Sequence, residues 1–246
     1  MAFLKISNPA LRPKTFESVQ SGVDAAQAMT LQGTVNKTGI LLTLVAISAA
    51  FTWNTYRTDP SAALSWLVLG LIGGFIVAMV TIFKKEWAVV TAPLYSVLEG
   101  LLLGAISAMF EARHPGIAIQ AVGLTIGTLL AMLIAYTSGL VKATENFKMG
   151  VIAATGGIML LYLATIGLGF FGVQIPYIYG NGAVGIGFSL LVVVIAALNL
   201  VLNFDLIDRG VAGGAPKYME WYCAFGLIVT LVWLYLEMLR LLSKRR

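Results

Sequence analysis

Residues 183–204 read AVGIGFSLLVVVIAALNLVLNF, from Ala183 to Phe204 without one charged side chain. A helix that crosses the roughly 30 Å hydrocarbon layer needs about 20 predominantly apolar residues, so this stretch has the length and the character of a transmembrane span. Six further segments follow the same pattern: Gly39–Tyr56, Ala62–Phe83, Ala88–Phe110, Ile117–Val141, Met149–Gly172 and Trp221–Leu242. The runs are continuous and lack the alternation of a membrane barrel. Lipid offers no partner for open backbone groups, so they are predicted as α-helices. The fold class expected is an all-α membrane protein with seven transmembrane helices. It divides into an N-terminal cytoplasmic segment, residues 1–37, and a seven-helix transmembrane domain, residues 38–246.

Composition agrees. The chain is 59% hydrophobic and 11% charged, against about 45–50% and 25% in soluble domains. The net charge of +5 forms no stripe; its bases stand singly at the ends of apolar runs, which fits lipid headgroups and argues against nucleic acid. The lipid bilayer is thus the first partner. Residues 1–37 hold no apolar core of a signal peptide and are expected to stay unprocessed. The single cysteine, Cys223, lies in an apolar run and reads as a small buried hydrophobe.

Short turn-like connections, such as Thr58 to Ser61 and His114-Pro115-Gly116, make consecutive helices antiparallel neighbours. A third connection is expected at Pro176 to Gly182. Lysine and arginine collect on the N-terminal side, at Lys5, Arg12, Lys14, Lys37, Lys84, Lys85, Lys142, Lys148, Arg209 and Lys217, with Arg57 and Arg113 opposite. The N-terminus is therefore predicted in the cytoplasm. The tail, Arg240 with Lys244, Arg245 and Arg246, runs against this bias, so the last segment either crosses regardless or turns back; its full length favours crossing. Gly100-x-x-x-Gly104 and Gly123-x-x-x-Gly127 have the spacing that lets helix backbones approach, and packing is a sufficient reading of both. The string Gly167-x-Gly169-x-x-Gly172 imitates a dinucleotide fingerprint, but it sits in an apolar span without a preceding strand.

Ionisable groups inside spans are costly, and each invites a role. Glu99 stands at the middle of the third span, as either a neutral acid bonded to a neighbouring helix or an ion site. Asp205 and Asp208 share a helical face at the end of the sixth span, with Arg209 one turn beyond Asp205 as its charge partner. Glu237 has Arg240 three residues on. Enzyme constellations are missing: the one histidine, His114, adjoins Pro115 in a loop, and the acids Glu99 and Glu237 lack the motif of a membrane aspartyl protease. The chain is not expected to be an enzyme, and neither a cofactor nor a bound metal is expected. Calcium is the hard cation that carboxylate oxygens would favour as a transported ion.

Two strings carry a resemblance: Asn203-Phe-Asp205-Leu-Ile-Asp208 closing the sixth span, and Leu234-Tyr-Leu-Glu237-Met-Leu-Arg240 in the seventh. Over nearly the whole chain they resemble the Bax inhibitor-1 family, and Asn8-Pro-Ala-Leu11 with MTLQGTVNKTG at residues 29–39 resembles a bacterial branch. The resemblance implies a last helix surrounded by the other six, and a pH-sensitive calcium leak in a bacterial cytoplasmic membrane. It also implies a gating pair of acids from the last two helices, here Asp205 and Glu237. Glu99 and Asp208 are, on their own account, candidate acids of an ion path. Ala105 stands where the family has proline, and Glu99 is additional. On ideal helices Glu237 lies about 24 Å beyond Trp221, so the pair meets only if a helix overruns its apolar segment or the last one turns back. The alternative function is a regulatory protein that modulates a membrane protease or stress response through a membrane-protein partner; a secondary transporter is a third.

Overall fold

The computed structural model describes residues 28–171, 180 and 182–245. Among these, seven helices are long and apolar enough to cross a membrane. They are α1 (Leu31–Thr58), α2 (Pro60–Phe83), α3 (Ala88–Arg113), α4 (Ile117–Thr137), α5 (Glu145–Phe170), α6 (Ala183–Ala212) and α7 (Met219–Lys244), with a 3₁₀ turn at Lys85–Trp87 before α3. The protein is an all-α membrane protein. The string at Asn8, the bases Lys5, Arg12 and Lys14, and the turn from Pro176 lie outside the described residues, apart from Gly180 and Gly182.

Helix limits exceed the apolar runs wherever local chemistry allows. The α1 helix starts at Leu31 and not near Gly39, because the Thr30 hydroxyl caps it by accepting from the Gly33 N–H at 2.9 Å. One residue, Asp59, ends α1 and caps α2: its carboxylate accepts from the N–H groups of Ser61 and Ala62, ahead of the preset φ of Pro60. The hydroxyl of Ser61 and the Ala62 N–H hold the Asp59 carboxyl below its usual range. The α4 helix stops at Thr137, short of Val141. The α6 helix runs on to Ala212, so Asp205 sits well inside a helix and not at its end. Gly214, at φ +63°, supplies the left-handed turn that lets the Ala215 N–H close on the Gly210 carbonyl.

Burial sorts the helices. In the most apolar window of each, 67% of α7, 56% of α3 and 50% of α6 is buried, against 17–22% of the other four. The last helix is central, but the expected ring of six is a ring of four: α7 is packed by α1, α3, α4 and α6, while α2 rests on α1 and α3, and α5 rests on α6. Outer faces present side chains such as Phe75, Val90, Ile119 and Leu160, as a lipid boundary requires. The seventh helix does not turn back. It runs beside α6 from the Asn203–Thr230 hydrogen bond to Lys244, whose ammonium donates to the Gly185 carbonyl and the Ser189 hydroxyl near the start of α6.

The two glycine pairs part company. A Cβ at Gly100 would fall on the Ser48 hydroxyl and the Val45 carbonyl, and one at Gly104 on the Ala49 carbonyl, so this pair lets α3 meet α1 backbone to backbone. Around Gly123 and Gly127 nothing lies within 4 Å. Gly104→Val is therefore expected to destabilise the fold by about 1–3 kcal/mol through overpacking, whereas Gly127→Val leaves the melting temperature of the detergent-solubilised protein unchanged. Equal melting temperatures for the two variants would contradict the backbone contact.

Candidate functional site

The α5 helix is held lightly: Val151 and Ile158 are its buried hydrophobics, the Tyr162 ring packs edge-on against Phe188 of α6, and several of its attachments to the bundle are polar. At the end where α5 begins, Lys148 meets Asp205 of α6 at 2.8 Å, Arg209 meets the same carboxylate at 3.0 Å, and Glu145 bridges Lys148 and Arg209 at 3.2 and 3.0 Å. Asp208, on the exposed side, accepts from the Tyr136 hydroxyl of α4 at 2.7 Å. Deeper, Asn203 donates to Thr230, and Asn199 donates to Thr155 of α5, both at 2.8 Å. Towards the other end, Tyr162 of α5 donates to Glu237 of α7 at 2.9 Å and accepts from Arg240 at 2.6 Å, while Arg240 pairs with Glu237 at 2.9 Å. Lys244 with Ser189 closes the series.

These side chains form a file along the α5–α6–α7 seam. On α6 alone it runs from Arg209 to Ser189, about 30 Å of helix, which is the thickness of the hydrocarbon layer. Polar groups buried in lipid survive when each finds a partner, and in this file Asp205 and Glu237 have each found a base. Glu237 is 2% exposed, and the Asp205 side chain 19%.

Asp205 and Glu237 do not meet. The contacts of Asn203 with Thr230 and of Ser189 with Lys244 fix a register that puts Asp205 level with Ile228 and Glu237 level with Ala196. The two acids are therefore about 13 Å apart along the axis. No ion pair or hydrogen bond joins them among the described residues, and α7 presents apolar residues at the level of Asp205. The reason is the direct antiparallel pairing of α6 and α7 through a tight connection. It brings the first half of α7, not its last third, alongside Asp205. Glu99 is off the file altogether: it projects between α3 and α2, where its carboxylate would stand 3.4 Å from a Cβ on Gly74, with the Tyr95 hydroxyl of α3 as its polar neighbour.

A second acidic centre escaped the sequence. The Glu220 side chain is fully buried and accepts from the N–H and hydroxyl of Thr30, at 2.8 and 3.0 Å, while forming an ion pair with Lys37. Gly33 lies directly against the carboxylate, leaving no room for a Cβ. Next to it the Met29 N–H donates to the Ala215 carbonyl, and Ala28 bridges to Pro216. The start of α1 is thereby clamped to the start of α7. Lys148, Glu145 and Tyr162 were likewise missed. The spacing of Glu145 and Lys148 marks a local pair, but nothing local shows that Lys148 reaches another helix.

Among the described residues no three His, Cys, Asp or Glu side chains converge, so a calcium ion moving along the file would meet carboxylates a few at a time and not in a cage. Compared with known families, residues 8–246 match a family model described as Bax inhibitor 1 like. No curated protein and no solved structure matches the chain.

Proposed function

From the premise that the chain belongs to the Bax inhibitor-1 family, we propose that it is a pH-sensitive cation leak, with calcium as the cation, whose path is the polar file between α5, α6 and α7. The file is the observation that carries this reading, because it is a line of polar side chains as long as the membrane is thick. Its ion pairs supply the gate. While Asp205 is charged it holds Lys148 of α5 against α6. Once protonated it no longer offsets Lys148 and Arg209, and the solvent-exposed Glu145 carboxylate is left to balance both cations alone, a weak tie at an exposed position. Acid thus loosens α5, and the leak rises as pH falls. This sign is opposite to that of two acids sharing one proton, where deprotonation drives the helices apart.

Calcium flux into liposomes over a pH series tests the reading. Asp205→Asn removes the charge permanently, so its leak is expected to be fast at neutral pH and flat with pH. A charge-assisted pair contributes about 1.5 kcal/mol or more, so the gain over the parent is about tenfold. Glu237→Gln leaves Arg240 uncompensated in the file and is expected to slow cation passage. Flux indifferent to both substitutions would sink the assignment, and a pure protein without flux that co-purifies with another membrane protein would favour the regulatory alternative. The lysine-rich face, with Lys37, Lys84, Lys85, Lys142 and Lys217, supports placing the N-terminus in the cytoplasm and the protein in a bacterial cytoplasmic membrane.

A further inference from the structure

We propose that Glu99 is a proton-binding carboxyl in its own right, standing at mid-bilayer on the α2–α3 seam and independent of the α5–α6–α7 file. Three observations carry this. First, Glu99, half-buried, differs from the two buried carboxylates: Glu220 is paired with Lys37 and Glu237 with Arg240, whereas no ion pair engages Glu99 among the described residues. Second, its Oε2 is buried without a hydrogen-bond partner, and so is the Oγ of Ser96, three residues earlier and therefore on a neighbouring face of the same turn. Third, the wall opposite is glycine. Gly70 and Gly73 bring α2 tight against Leu98, and Gly74 faces the carboxylate itself with room for no more than a methyl group, so α2 offers no side chain to coordinate a metal ion there.

The charged surroundings are sparse on every side. Pro60–Phe83 of α2 contains no ionisable residue, and neither does Thr38–Thr55 of α1, which covers the Gly100 face of α3. From α3 itself the neighbour is the Tyr95 hydroxyl. From α7 it is the Phe225 ring, stacked edge-on against Tyr95 at 4.9 Å. A carboxylate in such a place has no counter-ion, and the neutral acid is the form that apolar surroundings accept. Calcium does not suit the position: it takes six to eight oxygen ligands, and one carboxyl with two hydroxyls, among helical carbonyls already engaged, falls well short. A proton, arriving as hydronium or through water, requires no such cage.

Infrared difference spectroscopy on the full chain in liposomes reads the protonation state directly, since the carbonyl band of a neutral carboxylic acid is separate from the carboxylate bands. At neutral pH the wild type is expected to show a neutral-acid band that Glu99→Gln removes, Glu99→Asp shifts but keeps, and Glu237→Gln leaves intact. The aspartate variant retains the test if glutamine at this position fails to fold. Sodium or calcium chloride added at constant pH leaves the band in place. The proposal is overturned if wild type and Glu99→Gln coincide in this region, or if either metal abolishes the band. Because the readout is not flux, it stands or falls separately from the leak.

Discussion

In a chain with Cys223→Ala, cysteines at Thr155 and Asn199 are expected to abolish the calcium leak when bridged by oxidation or a short bifunctional thiol reagent, and to restore it on reduction. The expectation rests on how unevenly α5 is attached. The helix rests on α6 through two buried apolar side chains and the Tyr162–Phe188 ring contact, and it meets the bundle further through the Lys148–Asp205, Thr155–Asn199 and Tyr162–Glu237 contacts. Apolar packing cannot be turned off by a proton, but this arrangement can, so α5 is the element that a change in charge sets free. The 2.8 Å contact of Thr155 with Asn199 is midway along the file, and a covalent link there ties α5 down whatever the state of Asp205. Asp205→Asn combined with the bridge is expected to be closed as well. A control bridge between Ser107 of α3 and Tyr235 of α7, whose hydroxyls lie 2.6 Å apart, made with a bifunctional reagent long enough to replace the phenol ring, joins two inner helices and is expected to leave flux as it was. If both bridges block, rigidity in general matters and α5 is not the gate; if neither blocks while the uncrosslinked protein leaks, the path lies elsewhere.

The contrast between what the sequence foretold and what it concealed has a physical basis. Spans are legible because lipid imposes a requirement on every residue of a 20-residue window, and a window average survives individual exceptions. Pairings are set by single contacts between helices far apart in the chain, and no average contains them. Lys148 reads as a headgroup lysine of the basic face, yet it is bound to Asp205. Arg240 and Lys244 read as a tail in conflict with charge-based topology, yet one neutralises Glu237 and the other, 7% exposed, caps carbonyl and hydroxyl groups at the start of α6. A base engaged inside the bundle is a poor witness to which side of the membrane it occupies. The pairing of Asp205 with Glu237 fails for a related reason: the resemblance supplied two acids in the right helices, whereas contact depends on register, which the length of the connection decides. Glu220 was overlooked because an acid two residues into a helix next to a loop looks solvated.

Glu220→Ala is expected to be the most damaging single substitution on the near face, with a loss of about 3–5 kcal/mol, the cost of removing one partner from a buried, hydrogen-bonded ion pair. The loss exceeds that of an ordinary cap because one carboxylate serves several donors from a different helix: the Thr30 N–H and hydroxyl, and the Lys37 ammonium. Without it, Lys37 is left 16% exposed beside the positive end of the α7 dipole, with no counter-charge there. Lys37→Met should cost less, because Thr30 still donates to the acid, and Lys37→Met with Glu220→Gln should lose less than the sum of the two singles, since neither variant then strands a charge. Melting of the detergent-solubilised protein measures the cycle, and additive losses would show that the pair is not coupled. A second readout locates the damage. Met29 is 2% exposed and is held by the Ala215 carbonyl, so opening of the clamp should make the chain around residue 29 susceptible to protease before the bundle melts. Protection there in Glu220→Ala equal to the parent would mean that Met29 and Pro216 hold the strap unaided. Gly33→Ala approaches the same contact from the other partner: its new methyl group displaces the carboxylate without altering any charge, so a similar loss would assign the stability to the fit of α1 against α7 and not to charge alone.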